Sequence, residues 1–158
     1  MIQPKNTGLT LIELMVTIAV LGIVSAIAAP SFSNLISSNR LTGLANELNA
    51  SFTSARAEAI KMKTDVTVAP IGGSWAGGWI VTYVDSGATV ELLKQDPINK
   101  AVTLGTGSST GAAVFNASGY SVGNHLGANG VVFCGADKNG RKVDVLPSGT
   151  TVVERVEC

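Results

Sequence analysis

From Leu9 to Ala29 the chain reads LTLIELMVTIAVLGIVSAIAA, and Glu13 is its only charged side chain. As a helix these 21 residues rise about 31 Å, enough to cross a bilayer core. A lone carboxylate at that depth costs roughly 2.5 kcal/mol or more, so it marks a function and calls for a partner. If the chain is cut after Gly8, the new α-amine at Leu9 is a cation at the end of the same helix. Glu13 of one subunit can then neutralise the Leu9 amine of the next.

The other residue types with chemical potential are few. Cys134 and Cys158 are the only cysteines, and both lie beyond the apolar run. In an oxidising compartment they should pair. Their loop of 25 residues would stabilise the fold by about 3 kcal/mol through chain entropy. Two separate buried thiols, or half of a metal site, are the other readings. His125 is the single histidine, in the loop sequence Gly123-Asn124-His125-Leu126-Gly127. With no Cys or His at short ligand spacing, no metal is expected. No Ser or Cys stands in a nucleophile motif, and Glu154 and Glu157 fall on opposite faces of one strand if its side chains alternate. The chain reads as a non-enzyme without a cofactor.

The elements that must position these residues follow from composition and periodicity. At 158 residues the chain holds one domain and a membrane segment. Eleven Lys and Arg balance eleven Asp and Glu. Loss of a leader containing Lys5 leaves a net charge of about −1, which gives no overall drive toward nucleic acid or anionic lipid. Eighteen glycines and a charged fraction of 14% point to a turn-rich β domain. Downstream of Pro30, the residues Phe32, Leu35, Ile36, Leu41, Leu44, Leu48, Phe52, Ala55, Ala59 and Met62 recur mostly at three- and four-residue steps, an apolar helical stripe. Arg40, Asn46, Glu47, Asn49, Ser51, Arg56, Glu58 and Lys61 are expected on its other faces. The spacing predicts one helix from about Leu9 to Met62, bent or locally melted at Pro30, which lacks a backbone donor. After Thr64 the period falls to two. Strands are predicted at Asp65–Ala69, Trp79–Val84, Thr89–Lys94, Ala101–Leu104, Ala112–Phe115, Gly130–Phe133, Lys142–Leu146 and Thr151–Val156, and Gly105 to Gly111 as a flexible surface loop. A helix followed by short strands suggests antiparallel sheets with the helix on one face.

Gly8-Leu9-Thr10-Leu11-Ile12-Glu13, with the apolar run and Pro30 behind it, resembles the N-terminus of type IV pilins and of type II secretion pseudopilins. The resemblance implies cleavage after Gly8 by a membrane prepilin peptidase, N-methylation of Leu9, and a role in assembly for Glu13. The mature chain would start with Leu9, where the class usually has phenylalanine. Ala55 to Lys61, Trp75-Ala76-Gly77-Gly78-Trp79, Phe115 with Gly119, Phe133-Cys134 and the turn at Gly149 are similar to the GspH/FimT group of minor pilins and minor pseudopilins. That resemblance implies an α+β pilin fold: a long kinked N-terminal helix, its first half transmembrane, packed on a small antiparallel β-sandwich head. The expected parts are a leader at 1–8, a transmembrane and filament-core helix at 9–29, its amphipathic continuation at 30–63 and a periplasmic head at 64–158. Trp75 and Trp79 are expected to pack in the head around a tight turn.

The implied function is that of a minor type IV pilin, held single-pass in the bacterial inner membrane and then built into a filament. Its implied partners are other major and minor pilin subunits, prepilin peptidase and inner-membrane lipid. A type II secretion minor pseudopilin is the nearest alternative; closure of the tail at Cys158 by a disulfide resembles the pilins more. DNA uptake is a third reading. DNA-binding members carry Gly-Arg-x-Arg where this chain has Gly149-Thr150-Thr151-Val152. Lys138, Arg141, Lys142 and Arg155 remain as weak phosphate contacts, but Asp137, Asp144, Glu154 and Glu157 interleave with them, against the clustered charge that DNA needs. The fourth reading is a secreted β domain, with Ala26-Ile27-Ala28 as an ordinary signal-cleavage site.

Overall fold

The computed structural model describes residues 8, 10–123, 126, 127, 129–135 and 138–158, with the side chains at 28–31, 33 and 34 also outside the description. Leu9, His125 and Asp137 therefore lie outside the described residues. The chain divides into two compact units between Ile36 and Ser37.

Helix α1, Leu11–Met62, is 52 residues long and enters both units. In the first unit its apolar side chains from Leu11 to Ile27 are exposed. The helix is unbroken across position 30, so the local melting expected there is not found. A proline removes one donor, and the hydrogen-bond ladder resumes on either side of it. Pro30's own side chain lies outside the description. Among the described residues no helix is long and apolar enough to cross a membrane. The described side chains of the apolar run end at Ile27, short of the span that the sequence predicts.

The second unit packs residues 37–62 of α1 on eight strands. These are β1 (Val66–Pro70), β2 (Trp79–Asp85), β3 (Ala88–Gln95), β4 (Thr103–Leu104), β5 (Ala113–Phe115), β6 (Val131–Cys134), β7 (Asn139–Val145) and β8 (Thr151–Glu157). They form two four-stranded sheets, in the orders β3-β2-β1-β5 and β4-β6-β7-β8. Every pairing is antiparallel. The helix ends in the Schellman manner: Lys63 takes a left-handed φ of 53°, and Thr64 N donates to Ala59 O at 3.3 Å.

A single core joins the helix to both sheets. Leu41, Ala45, Leu48, Phe52, Ala55 and Ala59 line the helix, Val66, Val68, Trp79, Val81, Ala113 and Phe115 come from the first sheet, and Val131, Phe133 and Val143 from the second. The helical residues step by four and three, so one stripe faces the strands. This stripe differs from the sequence reading at its start and at Ala45. Phe32, Leu35 and Ile36 are exposed while Ala45 is buried, because the buried stripe starts only where the second unit does. Gly105 to Gly111 is also not a free loop. Gly105 N donates to Val132 O at 2.8 Å and Ser109 N to Gly130 O at 2.8 Å, and Ser108 Oγ accepts from Val132 N at 3.0 Å. Two of the segment's backbone donors are thus met by carbonyls at and beside β6.

Candidate functional site

At the start of α1, Thr10 and Glu13 hold each other. Thr10 N and Thr10 Oγ1 both donate to Glu13 Oε2, at 2.9 and 2.8 Å, and Glu13 N donates back to Thr10 Oγ1 at 3.3 Å. This is a capping box: two donors that the helix cannot satisfy internally are met reciprocally. The sequence signal for it is Thr-x-x-Glu before an apolar run, which the reading of Glu13 as a lone acid does not include. Gly8 is exposed and Leu9 lies outside the described residues.

In the head, Trp75 and Trp79 are fully buried, their ring centroids 6.4 Å apart. Phe52 of the helix meets the edge of Trp75 at 6.0 Å and Phe115 at 6.4 Å. The indole N–H of Trp79 donates to Ser51 Oγ at 2.9 Å, and Ser51 is only 5% exposed. Ser51 therefore belongs to the packed side of the helix rather than its wet side. Its hydroxyl also donates to Glu47 O at 2.9 Å, so one small polar group serves a buried donor without leaving its own proton unpaired.

Arg56 departs from the sequence reading in the same way. Its Nε donates to Gly119 O at 2.9 Å. Gly149 sits against the same carbonyl: a Cβ on Gly149 would lie 1.9 Å from Gly119 O and 3.1 Å from Arg56 Nε. Both glycines have φ near +78°, a conformation open to glycine and strained for other residues. Arg56, Gly119 and Gly149, far apart in sequence, thus form one clamp that ties the helix to the turns after β5 and before β8.

The cysteines are joined, with Cα atoms 6.0 Å apart. The bond runs from β6 to the end of β8, across β7, which lies between them in the sheet. Gly140 makes room for it: a Cβ there would be 2.6 Å from Cys158 Sγ. The four basic residues weighed for phosphate contact do not form one cluster. Arg141 pairs with Arg155 across β7 and β8, whereas Lys142 pairs with Glu154 and bonds Asp144 at 3.3 Å. Alternation puts Lys142 on the sheet face opposite to Arg141. Lys138 stands in the β6–β7 turn with φ of 61°. Among the described residues no group of His, Cys, Asp and Glu could hold a metal ion.

A helix running onto two antiparallel sheets, with a Gly-x-x-x-x-Glu start, defines a pilin-like protein. Comparison with known proteins agrees with this. The prokaryotic N-terminal methylation motif matches residues 3–29, and the family described as type II transport protein GspH matches residues 44–149. The chain belongs to that GspH family. Among curated relatives, a type IV major alpha-pilin of Moraxella bovis is 44% identical over 59 residues, 37% of each chain. Fimbrial protein Q of the same species is 44% identical over 57 residues, 36% of each chain. The chain spans little more than a third of the length of these relatives. Among solved structures, the type IV minor pilin FimU of Pseudomonas aeruginosa aligns with a TM-score of 0.55 at 23% identity, over 76% of this chain and 92% of that one. A second crystal form of FimU gives 0.53 at the same identity, over 72% and 92%. That likeness is one of fold.

Proposed function

We propose that the protein is a minor type IV pilin: a subunit cleaved after Gly8, methylated at Leu9, and held in the inner membrane by residues 9–29 until it joins a filament. Residues 30–63 continue the helix onto a periplasmic head at 64–158. The observation that carries this reading is the methylation motif across residues 3–29, which brackets Gly8 and Glu13. In the filament, apolar side chains of 9–29 pack against those of neighbours. Glu13 pairs with the neighbour's Leu9 amine and sets axial register, because only one stagger leaves neither charge buried alone. The protein acts with other minor subunits in priming or tipping the filament. N-terminal sequencing and mass spectrometry of the purified protein test the processing: a first residue at Leu9 carrying one N-methyl group is expected, and a first residue near Ala29 or Pro30 refutes it. Glu13→Ala should leave membrane insertion intact and lower incorporation into the filament. Undiminished incorporation refutes the pairing.

One observation favours a second reading, a minor pseudopilin of type II secretion: the matched family is described as a type II transport protein. The disulfide that closes the tail at Cys158 supports the first. Deletion separates them. Loss of surface pili and twitching supports the pilin, and loss of exoprotein secretion supports the pseudopilin.

A further inference from the structure

Strands β7 and β8 carry two arginines that enter no ion pair among the described residues. The register places Arg141 directly opposite Arg155, and like charges so placed repel. Arg141 is half-buried and Arg155 exposed. Arg141 donates from Nη1 to Gly140 O and from Nη2 to Thr42 Oγ1, each at 3.2 Å, which fixes its guanidinium but leaves donors unused. The ion pairs among the described residues are Lys61–Glu58 and Lys142–Asp144, and neither includes these arginines.

The surface beside them is mixed: Val153 and Glu157 share the Arg155 face of β8, and the neighbouring helix presents polar side chains. Helix α1 covers this face of the sheet, since Thr42 bonds Arg141 and Asn49 bonds Thr151 of β8. Asn46 falls between them at helical spacing, so Thr42, Asn46 and Asn49 form one stripe. Glu47 instead lines the separate groove that it shares with Arg40 and Gln95. Glu154 faces the other side of β8. Glu157, two residues beyond Arg155, shares its face without bonding it.

We propose that Arg141 and Arg155, beside this helical stripe, form a surface patch that binds carboxylates of an acidic segment on a neighbouring filament subunit. The proposal rests on the filament-subunit reading above. The forked donors of arginine match a carboxylate in a bidentate way. A nucleic-acid strand fits less well, because it presents a phosphate at every step and gains from a run of cations, and only two stand together on this face.

The test uses the full chain expressed with its filament partners. Arg155→Lys introduces an amine that a zero-length carbodiimide joins to a carboxylate in contact; the native guanidinium does not couple. Mass spectrometry should find a new amide to an Asp or Glu of another subunit, absent from the wild type. Arg155→Glu should lower incorporation about fivefold or more, since it turns attraction into repulsion. Its unfolding temperature should not fall, because among the described residues the Arg155 side chain makes no bond, and the substitution replaces repulsion from Arg141 with attraction. Coupling only within the chain, or undiminished incorporation of Arg155→Glu, overturns the proposal. So does salt-sensitive retention of a fluorescein-labelled DNA duplex that Arg155→Glu abolishes, without coupling to a subunit. Wild-type incorporation in the same preparation separates the two readings. If the wild type incorporates and only the Arg155 variants fail to behave as stated, the arginine patch is wrong and the filament reading stands; if the wild type does not incorporate, both fall.

Discussion

Gly149 and Gly73 share a backbone conformation, with φ of 77° and 76°, but not an environment. A Cβ on Gly149 would stand 1.9 Å from the backbone oxygen of Gly119, while a Cβ on Gly73 would meet nothing within 4 Å. Alanine at either position incurs the left-handed cost of about 1–2 kcal/mol. At Gly149 the backbone must also part, which adds about 1–3 kcal/mol for overpacking and pulls Gly119 O away from Arg56 Nε. Gly73→Ala should therefore cost about 1–2 kcal/mol and Gly149→Ala about 2–5 kcal/mol. The second unit runs from Ser37 to Cys158, and at about that size a kilocalorie moves the melting temperature by roughly 4 °C. The pair should thus differ by about 4–12 °C, the glycine in the clamp being the less tolerant. Thermal and urea unfolding of the full-length variants, side by side in one detergent, measure this. Equal shifts would refute the clamp, because φ is matched and only the space differs.

Other perturbations read other parts of the head. Ser51→Ala leaves the indole N–H of Trp79 buried and unpaired, so urea unfolding should show a loss of about 1–3 kcal/mol; a neutral result would mean that the hydroxyl is not the acceptor. Lys63→Gly relieves a left-handed residue at the helix end and should stabilise by about 1 kcal/mol, read as a higher urea midpoint. Cys158→Ser should lower stability by about 3 kcal/mol by freeing the loop closed on Cys134, and reductant should give the wild type the same midpoint as the variant.

The eight strands are legible because each is a short run rich in β-formers and fenced by turn residues, several of them alternating as β1 and β5 do. The ends are less so. β7 begins at Asn139, three residues before the predicted Lys142, because Asn-Gly-Arg looks like a turn; the structure uses that glycine where the disulfide crosses. β4 is only Thr103–Leu104, since Val102 turns into the core instead of continuing a ladder. The larger misses share one cause. Ser51 and Arg56 are polar by type and so are expected on the helix faces away from the apolar stripe, but each meets a group supplied from far along the chain, the Trp79 indole and the Gly119 carbonyl. Such pairings depend on tertiary register, which no local period contains. The opposition of Arg141 and Arg155 is hidden for the same reason: only the β7–β8 register brings them together.

Glu13 shows how a local rule and a tertiary one meet in a single residue. Read alone, an acid in an apolar helix is a cost waiting for a partner. Thr10 meets part of that cost inside the subunit, through a backbone N–H and a hydroxyl that both reach Oε2. Among the described residues Oε1 accepts no bond. The carboxylate is thus drawn back toward the helix start with one oxygen engaged and the other open, while the first-turn position favours its negative charge through the helix dipole. In the proposed filament the neighbouring amine completes this arrangement and does not have to create it. The free energy that selects the register is then the difference between a half-satisfied and a fully satisfied carboxylate, which is smaller than the cost of a bare buried charge. Under the proposed function, such a subunit can wait in the membrane as well as assemble, because its acid is tolerable alone and better paired.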